Sequence, residues 1–131
     1  MTQKNITIKG KPLAKARPRF SRQGGQVRTF NSQAKQEKVA RLKLRLAYGC
    51  NDPLVGPVDL NVLFVFEKPK TRKNNELHVG PVDLDNLLKF LCDVGNGILW
   101  QDDRQVARIN ATKIYGEESK TIITISEIDV D

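Results

Sequence analysis

The residues able to do chemistry are concentrated in one stretch of the 131-residue chain: Asp83-Leu84-Asp85-Asn86, Lys89, Asp93 and then Asp102-Asp103. If Asp83 is extended and Asp85 opens a helix, their i, i+2 spacing lets both carboxylates point the same way. Carboxylates gathered in a confined place repel one another unless a cation neutralises them. An oxygen-only donor set favours Mg²⁺ or Mn²⁺, and Mg²⁺ keeps several waters while bridging carboxylates to phosphate. Taken singly, each pair has a plainer account, since Asp caps helices and Asp-Asp is ordinary in solvated turns. Asp85 and Lys89 are likewise spaced as a surface i, i+4 pair. It is the combination that points to a site.

Other chemistries find no support. There is no Ca²⁺-binding loop after Asp83, no Gly-Lys-Ser/Thr phosphate loop and no Cys/His zinc spacing. His78 is the single histidine and has no triad around it, so nucleophilic hydrolysis is not expected. Cys50 and Cys92 are too few for a disulfide framework, and reduced thiols in the cytoplasm are expected. No apolar run is long enough to span a membrane, and Met1-Thr2-Gln3-Lys4-Asn5 has no signal-peptide pattern.

The elements that must position the aspartates follow from periodicity. Over 84–94, Leu84, Leu87, Leu88, Leu91 and Val94 form one apolar stripe flanked by Phe90, while Asp85, Asn86, Lys89 and Asp93 share the opposite face. Gly95 and Gly97 end this helix, and the acidic turn at 100–104 brings Asp102 and Asp103 back alongside it. An earlier helix is expected from a cap at Asn31 or Ser32 to about Tyr48, with Val39, Leu42 and Leu46 as its stripe and Gly49 as its stop. Strands are expected at 4–9, 58–66, 106–115 and 121–128, the last two joined as a hairpin through 116–120. Two stretches read as loops. The first, 10–30, is punctuated by Pro12, Pro18, Gly24 and Gly25, with room for a small hairpin at the glycines; the second runs from Lys68 to Val82. The order β-loop-α-β-α-β-β predicts an α/β (α+β) fold, one domain over 1–131, with two helices against a mixed, mostly antiparallel sheet.

Charge divides the chain. Residues 1–50 carry 13 Lys/Arg against the single acid Glu37, a net of +12, while residues 51–131 are net −5. A basic half suits a polyanion, because lysines and arginines gain affinity by displacing counterions from phosphates. A metal between carboxylates and phosphate would reconcile the acidic half with such a partner. Lys11, Lys15, Arg17, Arg19, Arg22 and Arg28 are the expected phosphate contacts, with Phe20 or Phe30 available for stacking; Lys70, Arg72 and Lys73 form a second basic run with Lys68.

The stretch Asp83-Leu84-Asp85-Asn86-Leu87-Leu88-Lys89, then Asp93, then Asn96-Gly97-Ile98-Leu99-Trp100-Gln101-Asp102-Asp103-Arg104-Gln105-Val106, resembles the signature of the RusA-type Holliday junction resolvases. The close match covers residues 83–106, and a looser one takes in 15–20 and Lys113-Ile114-Tyr115. The family often has Lys-Pro directly before its first aspartate, where this chain has Pro81-Val82. The resemblance implies a small dimeric, Mg²⁺-dependent endonuclease that nicks opposing strands of a four-way DNA junction in recombination and repair. It also implies that Asp83, Asp85 and Asp103 are catalytic metal ligands and that Lys89 is an essential lysine, with Asn86 and Asp102 in support. A homodimer and four-way junction DNA are the expected partners, and no membrane. Two alternatives stay open: a metal-dependent nuclease acting on other branched nucleic acids, and a DNA-binding protein without catalysis whose aspartates are caps.

Overall fold

The computed structural model describes residues 3–16, 19–23, 26–30 and 33–129, with only the backbone described for 19–23 and 26–30. In chain order the elements are β1 (Lys4–Lys9), β2 (Arg19–Gln23), β3 (Gln26–Phe30), α1 (Ala34–Tyr48), β4 (Val58–Glu67), α2 (Leu84–Gly95), a 3₁₀ turn at Asp103–Gln105, β5 (Val106–Gly116) and β6 (Lys120–Glu127). Four strands form one sheet in the order β1-β6-β4-β5, and β2 pairs with β3 as a separate two-stranded ribbon. β1 and β4 both run antiparallel to β6, whereas β4 and β5 are parallel. The sheet is therefore mixed and mostly antiparallel, as expected. The first basic loop contains the β2–β3 pair; its expected turn at Gly24-Gly25 lies outside the described residues.

β4 is the central strand of the core. Val58, Leu60, Val62, Phe64 and Phe66 alternate onto the helix side and are all buried. There they meet Leu87, Phe90, Leu91 and Val94 of α2, together with Ile123 and Ile125 of β6. Removing this much apolar surface from water is the dominant favourable term in forming the fold.

Two expectations need correction. The first concerns α1, whose Val39, Leu42 and Leu46 are 49%, 59% and 75% exposed, while Leu44 and Tyr48 are buried. The inward face runs through Glu37, Ala40, Leu44 and Tyr48, an i, i+3, i+7, i+11 set on which only two positions are large and apolar. Glu37 is accommodated there because its carboxylate meets Lys15 at 3.0 Å. Gly49 does end the helix, at φ +74°, but the residue at the N-cap position is Gln33; Asn31 and Ser32 lie outside the described residues.

The second concerns β5 and β6, which are not a hairpin. β4 lies between them, and the link from Gly116 to Lys120 crosses over the end of that strand. Strands two places apart are separated by roughly 10 Å, within reach of so short a link. Lys68 N–H donates to the Gly116 carbonyl and Glu67 N–H to the Ser119 hydroxyl, tying the crossing to β4. A Cβ on Gly116 would stand 2.5 Å from Val65 Cγ1. Because Val65 is β-branched and buried, it has little room to yield. Gly116→Ala is therefore expected to cost about 1–3 kcal/mol in urea unfolding, and less in a Val65→Ala background. Equal costs in both backgrounds would show that the two positions do not interact.

Residues 68–82 form no named strand or helix, as expected of a loop, and they are tied to β5 by main-chain hydrogen bonds. Asn75 N–H donates to the Tyr115 carbonyl, Tyr115 N–H to the Glu76 carbonyl, and His78 N–H to the Lys113 carbonyl. The segment runs antiparallel along the free edge of β5 before rising to α2, which covers part of an otherwise exposed edge.

Candidate active site

α2 forms where its apolar stripe predicts, and Asp83 stands at its N-cap in extended conformation, φ −76° and ψ 132°. The Asp83 carbonyl accepts the N–H groups of Asn86 and Leu87, but its carboxylate makes no capping hydrogen bond. A plain cap would use that carboxylate. Asp83 and Asp85 are both exposed, and Lys89 Nζ stands 3.9 Å from Asp85 Oδ2 with both side chains mostly in solvent. At 100° per residue, Cys92 falls within about 60° of Asp85 and Lys89 on the helix surface.

Asp103 opens the 3₁₀ turn, which packs against α2. It lies close enough to Cys92 that its charge, with that of Asp93, adds to burial in pushing the thiol up to about 11. Cys92 is therefore a protonated thiol at neutral pH.

The two neighbouring aspartates have different surroundings. Asp102 Oδ1 accepts the Arg104 N–H at 2.9 Å, and Gln105 Oε1 accepts the N–H of Asp102 at 3.0 Å, closing a capping box around the turn. Gln105 Oε1 also accepts the Gln101 N–H, and its Nε2 donates to the carbonyls of Leu54 and Gly56 at 2.8 and 3.0 Å. This one glutamine bolts the acidic turn to the loop before β4. Sequence reasoning placed Gln105 only inside the motif; its fixed distance from Asp102, three residues as in a capping box, was the available signal. Asp102 holds the turn's shape as its cap, and Asp103 follows as the turn's first residue.

Trp100 anchors the far end of the turn. It is fully buried, its Nε1 donates to Asn96 Oδ1 at 3.0 Å, and its ring packs closely over Gly95.

The basic residues divide into groups. Lys15 Nζ bridges Glu37 of α1 at 3.0 Å and Asp93 of α2 at 2.9 Å, and these contacts raise its pKa, the Asp93 contact first. Lys15 N–H also donates to the Asn86 carbonyl at 2.9 Å, and the buried Gln33 side chain clasps the main chain of Ala14 and Ala16. The first basic segment is thus docked beside the aspartates. Lys11 is exposed; Arg19, Arg22 and Arg28 lie on β2 and β3, and Arg17 lies outside the described residues. In the second run Arg72 pairs with Glu76 at 2.7 Å and lies 5.9 Å from the Tyr115 ring centre, while Lys70 and Lys73 are exposed.

His78 lies between Phe66 and Tyr115, with ring centres 4.5 and 4.6 Å away, and its Nδ1 accepts the Gly80 N–H. Burial, then the nearby Lys113 charge, lower its pKa below 6.5. A folded state that prefers neutral histidine is stabilised above the unfolded pKa and loses that stabilisation as pH falls through 6.5 towards the lower folded value. Urea unfolding at pH 7.5 and 5.5 is expected to show a smaller loss for His78→Gln than for the parent chain; equal losses would remove His78 as a cause.

Among the described residues no three acidic, histidine or cysteine side chains stand close enough to enclose a metal ion. The donor chemistry of Asp83, Asp85 and Asp103 nevertheless fits Mg²⁺, which is held through one or two carboxylates and keeps most of its waters. No helix among the described residues is long and apolar enough to cross a membrane.

Comparison with known proteins agrees with the motif. The chain is 29% identical to the uncharacterized protein YqaN of Bacillus subtilis (strain 168), over 94% of this chain and 95% of that protein. The profile of the family described as endodeoxyribonuclease RusA matches residues 9–126, which span the ribbon, both helices, all the aspartates named above and most of the sheet. The chain belongs to the RusA endodeoxyribonuclease family, the Holliday junction resolving hydrolases.

Proposed function

We propose that this endonuclease is Mg²⁺-dependent, with Mn²⁺ as a substitute, and that it works as a two-fold homodimer nicking opposing strands of a four-way DNA junction. Residues 1–131 would form one such domain acting in the cytoplasm. The observation that carries this reading is the Asp83 carboxylate, free of any capping bond at the start of α2, with Asp85 and Lys89 on the same helix and Asp103 in the 3₁₀ turn that packs against it. Asp83, Asp85 and Asp103 would hold the metal, which supplies a water of lowered pKa and stabilises the leaving oxygen. Lys89 offers its ammonium to the charge that builds on the phosphorus-bound oxygens. Asp102 supports Asp103 through the turn, and Asn86 holds Lys15 beside the site through its carbonyl.

Phosphate binding is assigned to Lys11, Lys15, Arg17, Arg19, Arg22 and Arg28, and to Lys70, Arg72 and Lys73. Lys15 and Arg72 do this from inside ion pairs, so they are the weaker contributors. A symmetric junction needs two active sites, which a C₂ dimer provides.

The test is a panel of four-way junction, three-way junction, flap, duplex and RNA substrates, with and without Mg²⁺. Paired nicks in the four-way junction alone, only with metal, are expected. Faster cutting of flaps or three-way junctions would move the assignment to other branched DNA, and metal-independent binding without nicks would remove catalysis.

A further inference from the structure

We infer that Lys113 is a positioning residue for Asp83, acting from β5 on the main chain that leads into α2. Lys113 pairs in register with Phe64, so it lies on the helix side of the sheet, where its neighbours are core residues. It is half-buried there. A lysine held partly out of water needs partners for its ammonium. Those partners are main-chain oxygens: Nζ donates to the Val82 carbonyl by a short hydrogen bond and to the Gly80 carbonyl at 3.4 Å. No carboxylate among the described residues forms an ion pair with it.

Apart from the packing of Val82 against the core, the segment it holds has few hydrogen-bonded ties to the sheet. His78 N–H is bonded to the Lys113 carbonyl, the last main-chain link to β5. Beyond it, Gly80 N–H and Val82 N–H are bonded within the segment itself, and Pro81 has no N–H to give. Among the described residues, the Lys113 side chain makes the only hydrogen bonds joining 79–82 to the sheet. Val82 directly precedes Asp83, so the grip sits one peptide unit from the N-cap. The two positions before Asp83 carry no basic side chain, and the cation at this spot comes from the strand instead. Displacement of a reacting group by about 1 Å can cost on the order of 10²-fold in rate. Lys113 acts on that displacement and does not itself touch the substrate.

The inference rests on the proposed role of Asp83, so its test reads the free protein as well as the reaction. In Lys113→Met, amide hydrogen exchange at Asn86 and Leu87, whose N–H groups bond the Asp83 carbonyl, should speed up at least ~10-fold, with α1 unchanged. Single-turnover cleavage of a four-way junction should fall ~10–100-fold with unchanged junction affinity, and Lys113→Arg should recover most of the rate. Should Lys113→Met fail to fold, Lys113→Gln keeps one donor and is read the same way, with a smaller effect. Unchanged exchange and cleavage would overturn the inference. So would weakened junction binding with unchanged exchange, which would make Lys113 a DNA contact. If the parent chain itself cuts no junction, the functional reading falls, while the exchange data still decide what Lys113 holds.

Discussion

Asp83→Asn, Asp85→Asn and Asp103→Asn are each expected to bind a four-way junction normally and to cleave it on the order of 10³-fold more slowly. Asparagine keeps the shape and one oxygen but loses the charge that a divalent cation requires. The fold should tolerate all three changes. Asp83 caps no amide with its side chain, and Asp85 makes one long, exposed ion pair. Asp102 provides the contrast. Its Oδ1 accepts the Arg104 N–H, an interaction that asparagine preserves, so Asp102→Asn should cut at close to the parent rate. Asp102→Ala loses the cap, costing about 1 kcal/mol of stability and less of the rate than Asp103→Asn. Single-turnover cleavage, gel-shift binding without metal and urea unfolding separate these outcomes. An Asp103→Asn protein that cuts at the parent rate would remove Asp103 from the metal site; the reverse order for 102 and 103 would exchange their roles.

What could be read from the sequence follows the range of the interactions involved. α2 was legible because its stripe of leucines and its polar face are both local, and the motif marks its start. The inward face of α1 was not, because it runs through Glu37 and Ala40, and the alternation Leu42-Lys43-Leu44-Arg45-Leu46 offers apolar residues on two opposite sides of the helix. Glu37 faces inward where Lys15, 22 residues away, meets it. The β5–β6 link looks like a hairpin because a short link usually makes one. The intervening β4 is a long-range fact, and Gly116 was its one local trace. In the site, type and spacing bring out a cluster of aspartates with Lys89, and the role of each is what the resemblance implies. The capping role of Asp102 is not legible in the same way, because it depends on where Gln105 reaches. The attachment of residues 75–82 to β5, and with it the grip of Lys113, left no periodicity to detect.

Lys89 should behave as a catalytic lysine and Lys15 as a structural one, although both stand beside aspartates on the same helix. Lys89 Nζ is 3.9 Å from Asp85, is 65% exposed, and forms no other ion pair among the described residues. A pair so loose and so wet contributes at most about 0.5 kcal/mol, so Lys89→Ala should unfold at nearly the parent urea concentration. Its ammonium remains free to meet a phosphate beside the aspartates, and losing one donor to the transition state typically costs 10²–10³ in rate. Junction affinity should stay within about 2-fold, because one phosphate contact among many adds little to binding. Lys15 is committed elsewhere: its ammonium meets Glu37 and Asp93 at 3.0 and 2.9 Å, joining α1 to α2. Lys15→Met should therefore lower stability by up to about 1 kcal/mol while cleavage falls less than 10-fold. Lys89→Arg discriminates further, since a guanidinium keeps the charge but changes its position, and a rate between those of parent and alanine variant is expected. If Lys89→Ala instead weakens binding as much as cleavage, Lys89 is a ground-state phosphate contact, and the transition-state charge must be met by another group.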